Sequence, residues 1–249
     1  MPTEAQEQTP ERGHSVGDRY ILERPVSSGA HVWLASDPSG AQLALKTGHS
    51  AAIEHEYRVL RSLSHPNVVR VVDRFDVGGE AWLALEYLAG GDLVSLAGED
   101  SAHWLGAIAD VIATLGYLHT EGLVHRDLKA RNVMFDAAGR VRLIDFGSLA
   151  QVGEKWTMGG TTLEAIDPVR GSAPVDVADD VYALAALLHE LLYGMLPGGD
   201  RPVTRGASPI LEQLLVDCLD RRPGDTIPAL SRFATVIESL LEVEWSQVP

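Results

Sequence analysis

Three scarcities narrow the field before any motif is read. Cysteine occurs once in 249 residues, as Cys218, so a disulfide framework is excluded and a reducing compartment is expected. Basic residues are outnumbered, 20 against 35 acidic ones, for a net charge of −15. A nucleic-acid binder normally shows a basic footprint; none appears, so no nucleic-acid partner is expected. The acid excess suits basic protein substrates, although solubility accounts for it equally well. Long apolar runs are also missing. The most apolar stretch, residues 181–196, is interrupted by His189 and Glu190 and is too short to span a bilayer comfortably, so it reads as a buried helix. The N-terminus lacks a basic region followed by an apolar one, so neither a signal peptide nor a membrane anchor is expected, and the location reads as cytoplasmic.

Enough remains to build one large domain or two small lobes with real cores, since 45% of the chain is hydrophobic. Residues 1–17 hold Gln, Glu, Thr, Pro and Gly with almost nothing apolar, and read as a disordered leader. Folding is expected to begin near Tyr20. To about residue 84 the pattern is rich in strands, with one helix; beyond residue 90 it turns helical. Asp37-Pro38-Ser39-Gly40 and Gly78-Gly79 each separate two apolar runs and read as hairpin turns. The second hairpin is expected to pair residues 68–72 with 81–85. Ser50 is a candidate cap for a helix whose apolar side is marked by Ile53, Tyr57 and Leu60. Long helical patterns follow at 104–118, 177–184, 208–219 and 226–243. Cys218 lies on the apolar side of one of them and reads as core.

The most informative stretch is His125-Arg126-Asp127-Leu128-Lys129-Ala130-Arg131-Asn132, followed by a short hairpin and then Asp145-Phe146-Gly147. The hairpin turns at Asp136-Ala137-Ala138-Gly139 between two short apolar runs, and so brings its two ends together. Two carboxylates, an amide oxygen and a lysine then converge. That set suits a nucleotide with bound Mg²⁺: oxygen ligands for a hard cation, an acid for an attacking hydroxyl, and a cation for a moving phosphoryl group.

This stretch resembles the catalytic core of eukaryotic-type Ser/Thr protein kinases, of the kind also found in bacteria, and the likeness extends over about residues 18–243. The resemblance implies an α+β fold with two lobes: a small antiparallel-sheet N-lobe with one main helix (18–86) and a mostly helical C-lobe (87–249). It implies ATP and Mg²⁺ as cofactors and a protein substrate. Asp127 and Lys129 would be catalytic, while Asn132 and Asp145 would hold the metal. Lys46 would hold the α- and β-phosphates and pair with Glu56, for which Glu54 is the competing assignment. Val32, Ala44 and Met134 would sandwich the adenine, and backbone groups of Glu86 and Leu88 would bond its edge, with Leu85 as gatekeeper. Asp92 would reach the ribose or cap a helix. Asp180 would tie down the catalytic loop and is structural. Lys129 argues against relatives that phosphorylate small molecules.

Two places depart from the pattern. The phosphate-covering loop has Pro25, Ser27 and Ala30 where the family has glycines, and only Gly29 remains, out of register. Glycines there let backbone N–H groups approach phosphate without a Cβ in the way, so weak nucleotide binding is expected. The segment after Gly147 is short, with Thr157 as the expected self-modification site and Thr161 and Thr162 nearer its end. The Ala-Pro-Glu that closes this segment in the family has become Ile166-Asp167-Pro168. Either both members of its usual acid–arginine pair are gone, or the pair has moved to Asp167 and Arg222; the expectation is an Asp167–Arg222 ion pair, with Arg221 exposed. The reading is a Ser/Thr protein kinase; the alternative is a nucleotide-binding regulatory module with weak or no transfer.

Overall fold

Alternating apolar residues build the first part of the chain. The computed structural model describes residues 11–26, 31–97, 99, 101–155, 166–168, 173–197, 208–220 and 225–245. Contacts divide the chain into two units, residues 1–64 with 68–89, and residues 65–67 with 90–249.

The first unit is an antiparallel sheet with one helix. Its strands are β1 (Ser15–Val16), β2 (Tyr20–Pro25), β3 (Val32–Ser36), β4 (Gln42–Gly48), β5 (Val71–Val77) and β6 (Glu80–Glu86), in the order β1-β2-β3-β4-β6-β5. In β3 and β4 the even spacing puts Trp33, Ala35, Leu43 and Leu45 on one face, where they join Leu22, Trp82 and Ala84 in the core. Lys46 lies opposite Val32 in the β3–β4 register, and Ala44 opposite Leu34, so all four share the other face. The sheet curls. Tyr20 of β2 stacks on Phe75 of β5 with ring centroids 5.3 Å apart, although three strands lie between them in the sheet order.

Three sequence expectations need correction here. Residues 15–17 are not leader: Ser15 and Val16 pair with Ile21 and Tyr20, and Val16 is buried. The second hairpin is shifted, its first strand running over Val71–Val77 while Val68 and Val69 are buried just before it. Alternation over a short apolar run cannot fix where a strand begins when its flanks are also buried. Ser50 is the first residue of helix α1 (Ser50–Ser62), not its cap; His49 holds that position and makes no side-chain cap bond.

The second unit is helical: α2 (Leu105–Thr120), α3 (Val177–Tyr193), α4 (Pro209–Leu219) and α5 (Leu230–Trp245), with α2 against α5 and α3 against α4. Short strands β7 (Leu123–Val124) and β10 (Ala150–Gln151) pair, as do β8 (Val133–Phe135) and β9 (Val141–Leu143). The start of α3 is written in its sequence: Asp176 accepts from the backbone N–H of Ala178 and donates its own to Asp179, a capping box. The helix ends at Gly194, with φ of 67°. Cys218 is fully buried on α4, as its pattern predicts, and burial pushes its thiol up to about 12.

The units divide at Ala89 and Gly90, a little beyond the sequence boundary at residue 86. Arg24 donates to the Tyr87 hydroxyl at 3.1 Å, which keeps that residue with the sheet, whereas the Gly90 N–H already bonds Phe135 at 2.9 Å. A Cβ on Gly90 would sit 2.7 Å from the Asp136 carbonyl oxygen, and Gly91 has φ of 80°. Each glycine of the pair is therefore required, for different reasons.

Candidate active site

In the first unit, α1 presents Ile53, Glu56 and Leu60 to the interior. Glu56 is only 2% exposed, and its Oε2 accepts from Lys46 Nζ at 2.7 Å. The competing Glu54 is turned outward, pairing with Arg58 at 2.6 Å and Arg74 at 3.3 Å. Glu86 ends β6, its backbone N–H bonded to Arg70 O at 3.0 Å. Leu85 and Leu88 are buried.

In the second unit the charged loop has no regular element to carry it. It is fixed instead from α3. Asp180 is fully buried and accepts the backbone N–H groups of His125 at 3.0 Å and Arg126 at 2.9 Å. His119, near the end of α2, adds a third contact to Asp180 at 2.9 Å. Arg126 then takes a left-handed backbone, φ 67°, which redirects the chain into Asp127. The Asp127 N–H bonds His125 Nδ1 at 3.3 Å, so Nδ1 is an acceptor and the ring proton sits on Nε2, facing Ile144 O at 3.3 Å. The same ring meets Phe146 edge-on, centroids 4.9 Å apart.

Three predicted residues converge here. Lys129 Nζ donates to Asp127 Oδ2 at 3.0 Å, and Asn132 Nδ2 donates to the same oxygen at 2.9 Å and to Asp127 O at 2.8 Å. With its amide nitrogen turned to Asp127, Asn132 keeps its oxygen for another partner. The turn at Asp136 closes as read: its carboxylate accepts from the N–H groups of Arg140 at 3.0 Å and Ala138 at 2.9 Å, which lowers its pKa from the ordinary value. Across the hairpin, Ile144 N–H bonds Asn132 O at 2.9 Å, bringing the following Asp145 beside the Asn132 backbone. Asp145 is half-buried in a left-handed backbone with φ of 64°. Asp92 bridges to Met134 and makes no cap bond to its own 3₁₀ turn.

Sequence reasoning missed His119. Its spacing on α2 marked it only as a neighbour of the buried Leu118, and nothing local points to an acid on a later helix. Asp167 is 3% exposed, as a member of a buried pair would be. Arg222, its expected partner, lies outside the described residues. So do Ser27, Gly29, Ala30, Thr157, Thr161, Thr162 and Arg221.

A family model, "Protein kinase domain", matches residues 41–246. The chain belongs to the protein kinase family. Its two units are the two lobes of that fold, a curled antiparallel sheet with one helix and a helical lobe. Among curated relatives, the serine/threonine-protein kinase RUNKEL of Arabidopsis thaliana is 30% identical over 209 residues, covering 78% of this chain and 15% of the relative. Serine/threonine-protein kinase PAK 1 of Mus musculus is 30% identical over 202 residues, 74% of this chain and 37% of that protein. Calcium/calmodulin-dependent protein kinase type 1 of Macrobrachium nipponense is 31% identical over 204 residues, 74% and 59% respectively. The chain thus spans less than two thirds of the length of each of these relatives. Among the described residues no helix is long and apolar enough to cross a membrane.

Proposed function

We propose that this kinase domain transfers the γ-phosphoryl group of ATP to serine or threonine hydroxyls of protein substrates. The observation that carries the reading is the buried Asp127 carboxylate, which shares one oxygen between Lys129 and Asn132. Its geometry suits a base beside a cation. The acceptor oxygen bonds to the γ-phosphorus as the bridge to the β-phosphate breaks, ADP leaves, and the hydroxyl proton passes to Asp127. Lys129 then neutralises charge on the moving group. In the sheet lobe, Lys46, held by Glu56, is offered to the α- and β-phosphates. Val32 and Ala44 share its strand face and suit an adenine ring, as does Met134 in the helical lobe, while backbone groups of Glu86 and Leu88 suit its edge. Asp92 is assigned to the ribose.

The donor set fits Mg²⁺: one half-buried carboxylate, Asp145, and one amide oxygen, Asn132, brought together by the Ile144–Asn132 backbone bond. A small hard cation that keeps several waters and shares phosphate oxygens needs no more protein ligands than these. When bound, the ion supplies charge neutralisation on the phosphates.

The test is phosphate transfer from labelled ATP to generic protein acceptors, with wild type beside Asp127→Asn. Turnover should fall by about 10²- to 10⁴-fold in the variant while ATP–Mg²⁺ affinity is kept. Wild type that binds ATP–Mg²⁺ and transfers to nothing would make the domain a nucleotide-binding regulatory module instead.

A further inference from the structure

From Val124 to Val133 every side chain but one is buried or half-buried. The exception is Arg131. It belongs to a 3₁₀ turn, Ala130–Asn132, closed by the Asn132 N–H on Lys129 O at 2.9 Å. Ala130 is 0% and Asn132 5% exposed, so both neighbours are anchored inward and the residue between them is turned to solvent.

The other cations of this region are engaged. Lys129 is on Asp127, Arg126 reaches Ser148 O at 3.4 Å, and Arg140 and Arg142 both pair with Asp136. Among the described residues, the Arg131 side chain makes no hydrogen bond or ion pair. Asp92, which opens the 3₁₀ turn Leu93–Leu96 packed against this one, does not pair with it. A chain with 35 acids and 20 bases thus presents an unneutralised guanidinium one residue from Asn132 and four from Asp127.

We propose that Arg131 is a specificity-determining residue, selecting acceptor sequences with an acidic side chain one to three residues from the Ser or Thr. This rests on the kinase reading above. A substrate whose hydroxyl reaches Asp127 must lie over this loop. An extended peptide advances about 3.3 Å per residue, so flanking side chains up to three positions away span about 10 Å, the neighbourhood of the next exposed side chain. A guanidinium matches a carboxylate or a phosphate in two parallel hydrogen bonds and repels lysine or arginine. The local preference is opposite to the one that net charge alone suggests.

The experiment uses the full chain, ATP–Mg²⁺ and serine peptides identical except for Asp, Ala or Lys flanking the acceptor, with kcat/KM as readout. Wild type should favour Asp over Lys by about five- to ten-fold at low salt, a modest factor because the pair is solvent-exposed, and the gap should shrink as salt rises. Arg131→Ala should flatten the series, Arg131→Glu should invert it and Arg131→Lys should keep part of it. Thermal melting checks that each variant is folded, and the Lys variant against Arg131→Gln decides the matter should Ala or Glu unfold. Transfer with no charge preference in wild type, or with one that survives both Ala and Glu, overturns the proposal and leaves the kinase reading intact. No transfer to any peptide overturns both.

Discussion

The two lobes hold their charged groups by different means. In the sheet lobe, Lys46 and Glu56 come from a strand and a helix, each aimed by the period of its own element, and meet at 2.7 Å. In the helical lobe, Asp127, Lys129 and Asn132 ride on a loop with no period, and the loop's backbone is captured by Asp180, 54 and 55 residues further on. A side-chain pair can lose one partner and leave its elements standing. The loop has bonds of its own, but two of its buried backbone N–H groups rely on Asp180 as acceptor. The placement of these charged groups thus leans on one buried acid of a distant helix, whereas the strand–helix pair is aimed by its own elements.

Breaking the capture should therefore have the largest effect. Asp180→Ala removes the acceptor for two buried N–H groups and for His119, and should lower stability by about 3–5 kcal/mol in urea unfolding, with loss of transfer activity. A loss below about 1 kcal/mol would erase the contrast between the lobes. Next comes an asymmetry within the sheet lobe. Lys46→Met withdraws the ammonium from a carboxylate that is 2% exposed and should lower stability by about 2–3 kcal/mol, whereas Glu56→Met leaves a lysine that can turn to solvent and should change it by less than about 1 kcal/mol. The double variant should recover most of the first loss, and strict additivity would contradict the ion-pair account.

Gly90→Ala sharpens the comparison from the backbone side. The added methyl meets Asp136 O and Phe135 Cβ, each at 2.7 Å, so the Gly90–Phe135 bond must shift, at about 1–3 kcal/mol by urea unfolding. The smallest effect is chemical. With its thiol pushed up to about 12, Cys218 should be about 10⁻⁴ thiolate at pH 8, so a thiol reagent should label it only as fast as the helical lobe opens. Labelling at the rate of a free thiol in the native protein would show that α4 is loosely packed.

How much of this was legible in the sequence depends on range. The choice of Glu56 over Glu54 needed only a helical period and a neighbouring strand, and the structure keeps the two acids on those two sides of α1. The turn at Asp136, which the sequence placed between two apolar runs, is equally local. The expected start of β5 failed because its flanks are also buried, so packing decided it. The helix begins at Ser50, one residue earlier than the cap reading implies, and takes His49 as a cap without a side-chain bond.

Sequence alone determined the kinase motif and the lobe compositions, because each rests on residue types at short, fixed spacings. It also set Glu56 on the apolar side of its helix; the pairing with Lys46 was implied by the family resemblance and is made in the fold at 2.7 Å. Tertiary structure alone decided that His119 joins the backbone of His125 and Arg126 on Asp180, that His125 keeps its proton on Nε2, and that Arg131 faces solvent with no partner among the described residues. Those outcomes depend on which helix packs beside which loop. No local spacing encodes that, because burial and hydrogen-bond partners are properties of the assembled neighbours rather than of the residue itself.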